Sequence, residues 1–144
     1  MVKDKIVNKT ILINAPVPKV WETLTDPASI NQWLSDTEIH VAVDWKVGGH
    51  MTFEGVWHGV KYKDKGKVLK FEPGIMLRYN YWSVFSRLPD RPHNYSVIEF
   101  KLTPDEDQTL LELTHSKFVI ETNYGHSKFY WTLTLGRLKR LIEK

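Results

Sequence analysis

Apolar residues along this 144-residue chain recur with two different periods, and the change of period divides it into elements. Lys5 to Ile13 reads as a first strand, broken by Asn14-Ala15-Pro16-Val17-Pro18. Pro18 fits the first turn of a helix, where its missing N–H costs nothing, and Val20, Trp21 and Leu24 follow at helical spacing. Asp26-Pro27 repeats that start signal for a second short helix carrying Ile30, Trp33 and Leu34.

The period then becomes two. Ile39, Val41, Val43 and Trp45 alternate with polar residues, and Gly48-Gly49 turns the chain. Met51, Phe53 and Trp57 form one face of the next strand. A lysine-rich strand over 60–71 ends at Glu72-Pro73-Gly74. Residues 75–82 form another, apolar on both sides and so ambiguous in facing. Residues 83–94 read as a long loop, either a lid or a plain connection, with Phe85, Leu88, Arg87, Asp90 and Arg91 as its notable side chains. Ile98, Phe100 and Leu102 alternate in the following strand, 103–107 reads as a turn, and Leu111, Leu113 and His115 share a face of the last strand.

From about Thr122 to Glu143 the period is helical again. Tyr124, Trp131, Leu135, Leu138 and Ile142 make one stripe, with Lys128 in the missing step and Gly136 a weak point. The pattern therefore predicts one α+β domain over 1–144. About seven antiparallel strands joined by short connections form its sheet, with two short helices after the first strand and a long C-terminal helix.

Such a sheet is about 29 Å wide, whereas one helix is about 10–12 Å across. To cover its apolar face the sheet must curl around the helix, leaving an interior that is either a cavity or packed by large side chains. With 6 Trp, 6 Tyr and 6 Phe, both outcomes are open. The candidates for a pocket wall are Trp33, Phe53, Trp57, Tyr79, Tyr81, Phe100, His115, Tyr130 and Trp131, although packing in an ordinary core is the commoner role for any one of them.

Composition narrows the chemistry. There are no cysteines, which removes disulfides, thiolate nucleophiles and Cys-ligated metals, and fits a reducing compartment. No N-terminal apolar stretch resembles a signal peptide and no run is long enough to span a membrane, so a cytoplasmic protein is expected. The net charge is +3. Basic residues cluster at Lys61, Lys63, Lys65, Lys67 and Lys70 and at Arg137, Lys139, Arg140 and Lys144, but the first cluster alternates as the wet face of a strand does, so no nucleic-acid partner is expected. The six histidines show no metal-ligand spacing, and no carboxylate pair, nucleophile elbow or phosphate loop appears, so neither metal nor cofactor is expected. His115 is the exception to weigh. On an apolar face it is either a hydrogen-bonded core residue or a polar group for a ligand or a proton transfer. An enzyme would need a second group beside it, with Arg78 and Glu54 as candidates.

Several ordered segments carry a resemblance. They are 13–21 (Ile-Asn-Ala-Pro-Val-Pro-Lys-Val-Trp), Leu24-Thr-Asp-Pro27 with Trp33, Asp44-Trp-Lys-Val-Gly-Gly49, 66–73, Leu77-Arg-Tyr79, 109–115 and 131–138. Together the chain resembles the START-like (Bet v-like, SRPBCC) superfamily. Within it the chain is similar to the branch of the C-terminal domain of the activator of the heat-shock-protein-ninety ATPase. That resemblance implies a helix-grip fold and an internal cavity for an apolar ligand. The eukaryotic activator works through a further N-terminal domain absent from these residues. Binding of a small apolar or amphipathic molecule is therefore the leading expectation, ahead of a chaperone-interacting protein and a polyketide cyclase or aromatase-like enzyme.

Overall fold

The computed structural model describes residues 2–144. Seven strands form one antiparallel sheet: β1 (Val7–Ile13), β2 (Ile39–Val43), β3 (His50–Trp57), β4 (Val60–Glu72), β5 (Met76–Trp82), β6 (Ser96–Asp105) and β7 (Gln108–Ser116). Their order is β1-β7-β6-β5-β4-β3-β2, so every neighbour but one is a hairpin partner, and β1 closes onto β7. Two short helices, α1 (Val17–Thr25) and α2 (Pro27–Trp33), bridge from β1 to the far edge at β2. The long helix α3 (Glu121–Glu143) lies in the curl of the sheet, making the α+β helix-grip arrangement.

Helix starts follow local chemistry. Pro18 stands in the first turn of α1, and the Asp26 carboxylate accepts the Ser29 backbone N–H at 3.2 Å to cap α2. The stripe on α3 buries Trp131, Leu135, Leu138 and Ile142, together with Thr134. Two side chains of α3 reach the end of α2. Tyr130 donates its hydroxyl to the Leu34 carbonyl, and Arg137 Nε donates to the Trp33 carbonyl at 3.1 Å. Those carbonyls belong to a helix C-terminus, which leaves acceptors free for such contacts.

Alternation sets the inner face. Met51 and Phe53, Val68, Leu77 and Tyr79, Ile98 and Phe100, and Leu111 and Leu113 are buried, whereas Lys61, Lys63, Lys65 and Lys67 point outward as expected. In β5 the ambiguity resolves with Leu77, Tyr79 and Tyr81 inward, since Tyr79 pairs with inward-facing Val68 and Ile98.

Three expectations need correction. The first strand begins at Val7, after a short 3-10 turn at Val2–Asp4. The turn expected over 103–107 narrows to Glu106-Asp107, because β6 runs through Pro104 to Asp105 and Glu106 takes the positive φ (56°) of a two-residue hairpin loop. Residues 83–94 are not irregular throughout, since they wind into 3-10 turns at Val84–Ser86 and Pro92–Asn94.

Candidate functional site

The curl is filled unevenly. Towards α1 and α2, Trp33 packs edge-on to Phe100 (6.0 Å between ring centroids) and Phe100 edge-on to Trp131 (5.6 Å). The space left there is about 10 Å³. Towards the other end, between the sheet, the first half of α3 and residues 83–88, a cavity of about 1060 Å³ opens. Its size lies just above the ~300–1,000 Å³ of small-molecule sites.

Of the nine wall candidates, Phe53, Trp57, Tyr79, Tyr81, His115, Tyr130 and Trp131 border this cavity. Trp33 and Phe100 do not, since they sit in the packed floor beneath it. Trp57 stands at the mouth, half exposed, with its ring 5.2 Å from Phe85. Phe85, Arg87 and Leu88 of the 83–94 segment all reach the rim, so that segment forms part of the site. Asn123 of α3 holds it there by donating to the Ser86 carbonyl at 3.2 Å.

His115 is fully engaged. The Trp131 indole N–H donates to its Nδ1 at 3.0 Å, which leaves the proton on Nε2, 2.8 Å from Ser96 Oγ. Ser96 Oγ donates onward to the Tyr81 carbonyl at 3.3 Å. Burial pulls the imidazole down to about 3, so it is neutral at ordinary pH. The partners an enzyme would need are elsewhere. Arg78 pairs with Glu99 at 2.7 Å on the outer face, and Glu54 is exposed there too. Neither joins His115, because odd and even positions of β3 and β5 face opposite ways. Among the described residues no three His, Cys, Asp or Glu side chains gather into a metal-binding group.

The polar centre of the cavity is a residue the sequence reading passed over. Asp64, only 3% exposed, accepts the Tyr81 hydroxyl on Oδ2 at 2.6 Å and the Val84 backbone N–H on Oδ1 at 3.0 Å. Burial raises its pKa, opposed by hydrogen bonds from Tyr81, Val84 and Ser83. The available signal was its phase. In the lysine strand Asp64 shares parity with Tyr62, Gly66 and Val68, the inward set, while the lysines hold the other parity. The phenols of Tyr62, Tyr79 and Tyr130 border the same space as Asp64 and Tyr81, and burial raises the pKa of all four tyrosines.

Comparison with known proteins agrees with this architecture. Nothing among curated proteins matches the chain. The solution structure of ChR145 from Cytophaga hutchinsonii is 34% identical with a TM-score of 0.83, over 99% of this chain and 97% of that one. CalU16 from Micromonospora echinospora is 27% identical with a TM-score of 0.75, over 95% of this chain and 75% of its own. The Aha1 dimer from Colwellia psychrerythraea, 22% identical with a TM-score of 0.75 over 96% of each chain, shares the fold. The model of the family described as Activator of Hsp90 ATPase homolog 1-like protein matches residues 14–143, which include strands β2 to β7, all three helices and every residue bordering the cavity. With nine-tenths of its length matched and its grip of sheet on helix in place, this chain belongs to the Activator of Hsp90 ATPase homolog 1-like family.

Proposed function

We propose that this protein binds a small apolar or amphipathic molecule in the space between the sheet and the first half of α3. One observation carries the reading: about 1060 Å³ of space bordered by aromatic rings, with a buried carboxylate and a neutral histidine as fixed polar groups. Apolar walls supply affinity by releasing water, and a few polar atoms set orientation. Nothing in the arrangement calls for a reaction, since His115 already has partners on both nitrogens. A cytoplasmic location belongs to this reading. No helix of the described residues is long and apolar enough to cross a membrane.

Native mass spectrometry of protein purified under mild conditions, paired with displacement of an environment-sensitive apolar fluorophore, tests the proposal. A bound mass that leaves on denaturation, or saturable fluorophore binding at one site, is expected. Bare protein that also ignores the fluorophore would overturn it.

The family match favours a second reading, contact with a chaperone of the Hsp90 type. The outward row of Lys61, Lys63, Lys65 and Lys67 on β4 offers a basic face for an acidic partner surface. A pull-down with the chaperone, repeated with the row reversed to glutamate, decides it. Loss of binding in the reversed variant supports the reading, and no binding of the native protein at moderate salt counts against it.

A further inference from the structure

We infer that the ligand carries a cationic nitrogen, an amine or quaternary ammonium on an apolar body, and that Asp64 is its counter-charge. This rests on the ligand-binding reading above and names the chemical class that site would take.

Asp64 is a nearly fully buried carboxylate on the inner wall, yet none of the described Lys, Arg or His nitrogens lies within the 4.0 Å of an ion pair. Burial raises its pKa and only hydrogen bonds oppose the rise, with no positive group acting on it. Buried carboxylates are costly unless a charge or a full set of donors meets them. Tyr81 and Val84 each occupy one oxygen and Ser83 supplies a third donor, while a carboxylate has about four lone-pair positions, so acceptor capacity remains toward the cavity it borders.

The surrounding walls suit the same charge. Phe53 stands 5.3 Å from Tyr81 and 6.2 Å from Tyr79 between ring centroids, and Tyr62 and Tyr130 border the space as well. Aromatic faces attract a cation within about 6 Å and repel an anion, and desolvation strengthens the preference. The Tyr79 hydroxyl has no hydrogen-bond partner among the described residues, although Tyr79 is only 5% exposed. It is free to accept from an N–H. The positive groups that border the cavity, Arg87 and Lys117, stand exposed at its mouth. Water screens them, whereas the buried acidic group inside is Asp64.

Asp64 also holds the start of the 83–94 segment through Val84, and that role alone explains neither its lack of a counter-charge nor the four phenols around it.

The test is calorimetric titration with decyltrimethylammonium, decanol and decyl sulfate, each below its micelle concentration, on the native protein and on Asp64→Asn. The inference expects the cation to bind about tenfold or more tighter than the alcohol, the sulfate weakest, and the preference to vanish in Asp64→Asn. Equal binding of all three, or a preference that survives in Asp64→Asn, overturns the inference while leaving the cavity reading intact. Binding of none overturns both. Should Asp64→Asn fail to fold, the order of the three probes on the native protein decides alone.

Discussion

Trp131 donates its indole N–H to Nδ1 of His115 across 3.0 Å, joining the long helix to the last strand by a bond between two buried side chains. An indole N–H only donates, so the bond fixes the tautomer of the imidazole and sends its other N–H to Ser96. His115→Phe keeps the ring's bulk but leaves the Trp131 N–H without an acceptor. A loss of about 1–3 kcal/mol is expected, read by urea denaturation. His115→Asn, whose amide oxygen sits near the place of Nδ1, should recover part of it.

The burial of His115 gives stability a pH dependence. His115 in the folded protein titrates at about 3, against 6.5 unperturbed, so between those values the unfolded chain binds more protons. Stability therefore falls as pH drops below 6.5, by about 2 kcal/mol on reaching pH 5, and keeps falling until pH nears 3. Asp64 works in the opposite sense. Its raised pKa gives a contribution fully present below 3.8 and lost as pH rises through the folded value. Urea midpoints from pH 7.5 down to 5 should show the decline, and His115→Phe should flatten it.

Glycines in the motif segments make a sharper mutational contrast. A Cβ on Gly66 would lie 2.3 Å from the Asn80 carbonyl oxygen, and one on Gly49 1.9 Å from that of Asp44. Both neighbours are backbone and cannot step aside. Gly66→Ala and Gly49→Ala are expected to cost about 2 kcal/mol or more. Gly125, inside α3 with nothing within 4 Å of its added Cβ, should gain up to about 1 kcal/mol on change to alanine. Thermal melts of the three variants compare these directly.

Filling the cavity tests its use without altering its charge. Ile98 borders the space from β6, opposite Tyr79 and His115. Ile98→Trp projects a larger ring into open volume, so its stability cost should fall below the ~1–3 kcal/mol of overpacking a tight core. Fluorophore binding should drop several-fold while the melting temperature stays near that of the native protein.

The staple between Tyr130 and the Leu34 carbonyl is the remaining tie between α3 and α2 near the cavity. Tyr130→Phe leaves that carbonyl facing the pocket and should cost about 1 kcal/mol, seen in urea denaturation.

Much of this protein was legible in the chain, because period is a local property. The two-residue alternation around Phe53, Ile98 and Leu113 and the helical stripe of Trp131, Leu135, Leu138 and Ile142 specify which faces are buried, whatever they are buried against. Asp26-Pro27 and Pro18 likewise set the helix starts through bonds made within a few residues. Tertiary structure decided what the interior contains. Trp33 and Tyr130 look alike as aromatic residues on inward faces, yet one lies in the packed floor and the other borders open space. Which of them faces a void depends on how far the sheet curls and where α3 crosses it. Asp64 makes the same point about charge. Its parity placed it inside, but its partners, Tyr81 and Val84, come from 17 and 20 residues further on, brought to it by the pairing of β4 with β5. Periodicity assigns a residue to a face; distances between faces exist only once the sheet has closed around the helix.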